Sequence, residues 1–281
     1  MIDSHAHLQA DAFARDLPEV LARAAEAGVT RILVPGWDLA SSQAAVALAG
    51  ERHGVRLVAA VGIHPHVAAQ AAEGDWTEIE TLAGEQAAVA VGETGLDYDR
   101  MLSPREAQLA NLRRHLDLAL ATGKPLVLHC RSATGRRDAQ DELLRELERA
   151  GVGGSEWRVG FGTRPPAVLH SYSGPPDYAE RALDLGLAIS FSGLVFRAGE
   201  EASGEVARVV PDDRLLVETD APYLAPPRTP RRNEPASVRE TVVWLAAQRG
   251  CEVAPLGRDL AANYERIFGL PQTGATSAGT S

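Results

Sequence analysis

Short aliphatic and β-branched runs alternate with longer amphipathic stretches rich in Ala, Leu, Glu and Arg along nearly the whole chain. Buried parallel strands read as unbroken apolar runs and their covering helices carry one apolar face, so the alternation predicts repeated βα units. Strands are expected near residues 2–7, 30–34, 56–63, 87–92, 125–129, 167–171, 187–191 and 214–218. Helices are expected over 16–27, 41–53, 103–122, 135–150, 177–185, 199–209, 235–249 and about 256–267. Gly28, Gly54, Gly123, Gly151 and Gly186 stand where helices should stop. Eight strands with interleaved helices in 281 residues match an α/β fold, the closed (β/α)8 TIM barrel. The competitor is an open doubly wound sheet. That sheet would more often carry a glycine-rich nucleotide turn after its first strand, where this chain has His5-Ala6-His7. Residues 1–270 are therefore expected to form a single barrel domain. Residues 151–166, rich in Gly and Pro, read as a loop on the face opposite the C-terminal strand ends, and 271–281 as a disordered tail.

Composition narrows the class. With 45% hydrophobic and 23% charged residues the chain is not a disordered one. No apolar run reaches the roughly 18 residues that cross a bilayer, and Met1-Ile2-Asp3-Ser4-His5 opens without a basic-then-apolar leader. A cytoplasmic protein with no membrane partner is the expectation. Two cysteines, Cys130 and Cys251, fit a reducing compartment. Lys and Arg total 28 against 38 Asp and Glu, a net charge of −10, which argues against nucleic-acid binding through a broad basic face. All the cations but Lys124 are Arg, which base composition of the genome explains more simply than a need for bidentate phosphate contacts.

Six of the eight histidines, His5, His7, His64, His66, His129 and His170, fall at or just past the end of an expected strand, whereas His53 and His115 fall on expected helices. In a parallel barrel all strands end on one rim, so these six converge. His5 and His7, two apart on a strand, face the same way about 6.6 Å apart along the chain and can grip one cation. Glu93 closes the apolar run Val89–Val91, and Glu218 and Asp220 close Leu215–Val217. A buried carboxylate there needs a partner, and a metal is the natural one. His5, His7, Glu93, His129, His170 and Asp220 then read as ligands for two divalent ions (Zn, Mg or Mn) bridged by Glu93, since six ligands exceed one tetrahedral site.

The segments His5-Ala6-His7, Gly62-Ile63-His64-Pro65-His66, Gly92 through Tyr98, Leu128-His129-Cys130-Arg131, His170 through Gly174, Ser190 through Gly193 and Glu218 through Leu224 resemble the TatD family of metal-dependent deoxyribonucleases, in order over about residues 2–270. The resemblance implies an amidohydrolase-type barrel, divalent-metal hydrolysis of nucleic acid phosphodiesters, often 3′-to-5′ on single strands, and ligand roles for the same six residues. Ser171, Tyr172 and Ser132 depart from the usual pattern, as do Thr94 and Asp99; none is a ligand.

Phosphodiester cleavage needs a nucleophile, charge stabilisation on the phosphoryl oxygens and help for the leaving alkoxide, all of which two ions about 3.5–4 Å apart can supply. Asp220 is the candidate for deprotonating water. Glu218 is the candidate for orienting a ligand histidine instead. His64 is a candidate donor to phosphate or leaving group, and His66 reads as a bare surface residue. Arg131, and Arg228, Arg231 and Arg232 in the Pro-rich loop after the last strand, are candidate phosphate contacts. Asn233-Glu234-Pro235 would anchor that loop. Tyr98, Tyr172 and Phe191 could stack on bases; Trp37 could line the cleft, and Trp76, Trp157 and Trp244 read as structural. Cys130, adjacent to His129 on a strand, points the other way and reads as a buried small apolar residue.

The substrate expected is single-stranded DNA or RNA, with a monomer as the default and no oligomeric partner assigned. DNA against RNA, end against internal cleavage and the native metal stay open. A related hydrolase of esters, lactones, amides or aminoacyl-tRNA is the alternative; such relatives often bridge their metals with a carboxylated lysine, and here Glu93 holds that place while Lys124 is not at a strand end. A non-catalytic scaffold would show gaps in the ligand set. Two divalent ions against the charges of Glu93 and Asp220 would leave a positive mouth in an acidic shell, predicting local, end-directed contact with few phosphates.

Overall fold

A computed structural model describes residues 1–230 and 232–270 of the chain. Eight parallel strands lie in one sheet in the order β1 (Ile2–Asp3), β2 (Arg31–Pro35), β4 (Val55–Val61), β5 (Ala88–Asp97), β6 (Leu126–Arg131), β7 (Ala167–Leu169), β8 (Ala188–Phe191) and β9 (Leu215–Val217). The first and last strands meet: Ser4 N donates to Val217 O at 3.0 Å and Ala6 pairs with Ala221 in parallel. The expected TIM barrel is what forms. The strands are apolar runs buried on both sides, as in β2, where all five residues are buried.

Helices α1 (Leu17–Glu26), α2 (Leu39–Leu48), α4 (Arg105–Thr122), α5 (Asp138–Arg149), α7 (Pro176–Asp184), α8 (Ser203–Val209), α9 (Val238–Arg249) and α10 (Val253–Ile267) occupy the positions that periodicity indicates. The face of α5 that reaches the core is Ala139, Leu143, Leu144 and Leu147, all fully buried at helical spacing. Each of those leucines stabilises the packed layer by about 2 kcal/mol.

Three elements differ from expectation. Helix α3 (Glu73–Ala83) fills the gap between β4 and β5; its buried face is only Trp76, Ile79, Leu82 and Ala83. Helix α6 (Ser155–Phe161) lies within the segment read as a loop, anchored by the buried Trp157 and Phe161. The end of the second expected helix is instead β3 (Gly50–Arg52), an exposed strand antiparallel to β4. His53 and Gly54, at φ 51° and 79°, make the turn between them, so His53 is not helical. The expected tail, 271–281, lies outside the described residues.

Helix α4 does more than cover the sheet. Gln108, Asn111 and His115, at one-turn spacing on a single buried face, grip the ends of β4 and β5. Gln108 Oε1 accepts from Asp97 N at 2.8 Å and its amide donates to Asp97 O and Ser103 O. Asn111 Nδ2 donates to Ile63 O at 2.7 Å. His115 Nε2 accepts from Ile63 N at 3.0 Å, and its Nδ1 donates to Asn111 O at 2.8 Å, which defines a neutral ring.

Burial pushes the His115 pKa down to about 4 from an ordinary 6.5. The unfolded chain therefore binds this proton more readily, and stability present above pH 6.5 is lost as the pH falls towards 4, by on the order of 3 kcal/mol in total. In urea unfolding, His115→Gln should lose less stability than wild type between pH 7 and pH 4.5. An identical decline in both proteins would show that His115 does not contribute to acid sensitivity.

Candidate metal centre and catalytic rim

The strand ends deliver their polar side chains through specific backbone geometry. Beyond β1 the chain stays locked between its neighbours: Ala6 N donates to Leu33 O, His7 N to Ala221 O and Asp220 N to His5 O. Asp3, fully buried beneath, accepts from His5 N, Thr219 N and Thr219 Oγ1, tying the first ligand segment to the last. Burial pushes its carboxyl up to about 8. Glu93 lies in a register shift of β5 against β6. The glycines flanking it allow the approach: at φ 132° a Cβ on Gly92 would sit 2.6 Å from Val127 O, and at φ 137° one on Gly95 would run into His129 O. Asp220 and Ser171 take left-handed backbone, φ 55° and 45°, and turn the chain as it leaves β9 and β7.

The two oxygens of Glu93 face two different sets of donors. On one side, His5 Nε2 lies 3.2 Å from His7 Nε2 and 3.3 Å from Glu93 Oε2. His7 Nε2 is 3.7 Å from the same oxygen, and Asp220 Oδ1 is 3.7 and 3.5 Å from the two histidines. Bonds of about 2.0–2.1 Å to one ion place tetrahedral donors about 3.4 Å apart, so the atoms of His5, His7 and Glu93 are grouped closely enough to hold one cation, with Asp220 Oδ1 beside the two histidines. On the other side, Glu93 Oε1 lies 3.2 Å from His129 Nδ1 and 2.9 Å from His170 Nε2, and those nitrogens are 3.3 Å apart. This triangle makes one face of a tetrahedron with its fourth corner open. The donors also suit a metal chemically, since imidazole and carboxylate are the ligands of borderline and hard divalent cations.

Outer partners choose which ring nitrogen faces inward. Asp97 Oδ2 lies 3.2 Å from His129 Nε2, leaving Nδ1 for the centre. Glu218 Oε1 lies 3.2 Å from His170 Nδ1 while accepting from Ser171 N at 2.6 Å. Pro35 O is 3.3 Å from His7 Nδ1. Burial raises Glu93, but the surrounding His64, His170 and His5 outweigh it and hold the carboxyl well below its usual range. His170 is held well above 6.5 against its burial by Glu93 and Glu218, whereas burial depresses His5.

The six rim histidines do converge: His5 stacks on His170 with ring centroids 4.0 Å apart, and His64 lies 4.2 Å from His66 and 4.6 Å from His129. His64 Nε2 is 3.1 Å from Glu93 Oε1, at the edge of the second donor set. His66 is not a bare surface residue. Its Nε2 is 2.6 Å from Asp97 Oδ2, and its backbone N–H donates to His64 Nδ1 at 3.0 Å. Asp97, absent from the sequence-derived set, thus orients both His129 and His66; its position four residues past Glu93 inside a conspicuous motif was the available signal.

Several expected substrate contacts are placed elsewhere. Tyr98 is 7% exposed under the Arg105 guanidinium, 3.9 Å away, and Tyr172 and Phe191 are core residues. None presents a free face for a base. Arg232 is bound to Asp16 and Glu234, with distances of 2.6 and 2.8 Å, and so anchors its loop. Arg131 is on the rim, half-exposed, with Nε 2.8 Å from Asp99 Oδ2. Arg228 is exposed in the loop after β9, and Arg231 lies outside the described residues. Cys130 packs against the core beside Tyr178, its thiol pushed up to about 12 by burial, and is no nucleophile.

The family model for TatD related DNase matches residues 2–269. The chain belongs to the TatD family. A 3′-5′ ssDNA/RNA exonuclease TatD from Erwinia billingiae is 38% identical over 278 residues, spanning 96% of this chain and all of the relative. The uncharacterized metal-dependent hydrolase YcfH of Escherichia coli is 35% identical, covering 95% of each chain. Among solved structures, the TatD homolog YJJV of Escherichia coli is 27% identical with a TM-score of 0.81, covering 96% of this chain and 98% of its own. A lactonase from Listeria monocytogenes, 15% identical with a TM-score of 0.57 over 96% and 95% of the two chains, shares the fold. This TatD-family chain is accordingly a metal-dependent hydrolase whose histidines and carboxylates meet where the family's barrel opens.

If Asp97 sets the tautomer of His129, Asp97→Asn should weaken manganese binding about 10- to 100-fold in calorimetric titration with the fold intact by circular dichroism. Wild-type affinity in that variant would remove Asp97 from the centre.

Proposed function

We propose that the centre holds two divalent cations bridged by Glu93 and that the protein trims single-stranded nucleic acid from the 3′ end by hydrolysing phosphodiester bonds. The observation that supports this most directly is the division of the Glu93 carboxylate, with Oε2 in the set of His5, His7 and Asp220 and Oε1 in the set of His129 and His170. Cations bound there would neutralise phosphoryl oxygens and acidify water. The chain's own groups supply the rest. Asp220 is the most open member of its set, 15% exposed against 0%, 9% and 2% for His5, His7 and Glu93, so it is the carboxylate placed to take a proton from the attacking water. His64 accepts from His66 N at Nδ1, so its proton sits on Nε2 and is aimed at the second donor set, where it can donate to a phosphate oxygen. Arg131 and Arg228 are the guanidinium groups available on the rim for the next phosphates.

The names of the curated relatives support a nucleic acid substrate. Against a lysine-bridged relative of the lactonases stands Lys124, whose ammonium donates to Ala83 O and Glu85 O at the base of the barrel. With a net charge of −10 outside a cationic mouth, contact should involve few phosphates.

Incubated with a single-stranded oligonucleotide and Mg, Mn or Zn, wild type should release mononucleotides. His129→Ala and Asp220→Ala should each lower the rate at least about 1000-fold. Inertness of wild type on DNA and RNA with every metal would overturn the nuclease reading. Metal analysis should separately give close to two ions per chain, and fewer than one in Glu93→Gln; a single ion in replete wild type would overturn the bridged centre. The affinity should also fall only shallowly with salt, with a log–log slope of roughly −2 for a strand held by about three phosphates.

A further inference from the structure

The aromatic residues expected to meet bases are in the core, yet two other rings border the centre. Trp37, just beyond β2, and Tyr223, just beyond β9, flank His7 from its two neighbouring strands. Their ring centroids lie 5.4 and 6.0 Å from that of His7, and their planes stand 72° and 71° from it. Tyr223 is 60% exposed and is the one exposed aromatic side chain among the described residues; Trp37 is half-buried. An exposed ring beside a polar centre is a binding feature more often than a packing one. Both rings are also carried by the backbone that sets the centre. Tyr223 N donates to Asp220 O at 2.8 Å, and Trp37 O accepts from His64 N at 2.8 Å. Their positions relative to the donor sets are therefore fixed.

Resting on the nuclease reading above, we propose that Trp37 and Tyr223 form the subsite for the terminal nucleobase, stacking on it while the adjoining phosphate lies at the metal centre. Every base has a π face, so such a subsite tolerates sequence. It demands an unpaired end, because a base stacked within a duplex has no face to offer. Selection of single strands then arises from two aromatic side chains and needs no basic groove, in keeping with the net charge of −10. Stacking acts on binding, so the effect falls on KM more than on kcat.

The test compares oligonucleotides that differ only in carrying a base or an abasic sugar at the 3′ terminus. Wild type should prefer the base-bearing end by roughly 10-fold or more in kcat/KM. Tyr223→Ala and Trp37→Ala should each shrink that ratio towards unity, and Tyr223→Phe should retain it, with metal content equal in all four proteins. Calorimetry on manganese-loaded protein gives a second reading that needs no cleavage: a nucleoside 5′-monophosphate should bind roughly 10-fold tighter than deoxyribose 5-phosphate, and Tyr223→Ala should remove the difference. An unchanged ratio in both alanine variants, or equal binding of the two ligands by wild type, overturns the subsite. Failure of wild type to release nucleotides from either end overturns the nuclease reading instead, and the calorimetric comparison still decides whether the rings hold a base.

Discussion

The structure depends on one buried carboxylate. Glu93 is 2% exposed at the heart of the barrel mouth, where an uncompensated charge would cost several kcal/mol, and its compensation comes from five histidines on four different loops or strands. This requirement organises the rim. Two glycines let β5 approach β6, Asp3 ties the first strand to the last, and left-handed residues turn the chain immediately after β7 and β9.

Around the inner donors lies a layer of acceptors that is as specific as the donors themselves. Glu218 and the carbonyl of Pro35 each engage the outer nitrogen of one ring, and Asp97 engages those of His129 and His66. Asp97 is in turn held by Gln108 of α4, so the helical layer reaches the chemistry through two hydrogen-bonded steps. Rigidity of the centre is a property of sheet and helix together.

Much of this was legible from residue order. Glu93, His129, His170 and Asp220 each close or follow an apolar run, His5 and His7 alternate on the first strand, and parallel strands of a barrel end on one rim, so pattern plus topology placed the six together. The helical and strand positions with strong apolar faces were equally plain, α5 with Leu143, Leu144 and Leu147 being the clearest. What pattern could not show was contact that periodicity does not encode. Glu93 to Asp97 contains two polar residues, a glycine and a second carboxylate, so it does not read as strand, and β5 ran five residues further than expected. Helix α3 has a thin buried face among Glu, Gly and Thr, α6 is only seven residues long and bounded by Gly154 and Gly162, and β3 is exposed throughout and exists through its pairing with β4. The stacking role given to Tyr98, Tyr172 and Phe191 failed because an aromatic near a strand end can turn into the core as readily as out of it, and sequence spacing does not say which.

Lys124 gives the molecule a chemical handle with a direction. It is the chain's one lysine, it precedes β6 and so belongs to the end of the barrel away from the strand termini, and burial lowers the pKa of its ammonium. An amine-reactive reagent that captures this side chain attaches the protein by its base. Every molecule coupled to a surface through Lys124 would present its metal-binding mouth to the solution in the same orientation.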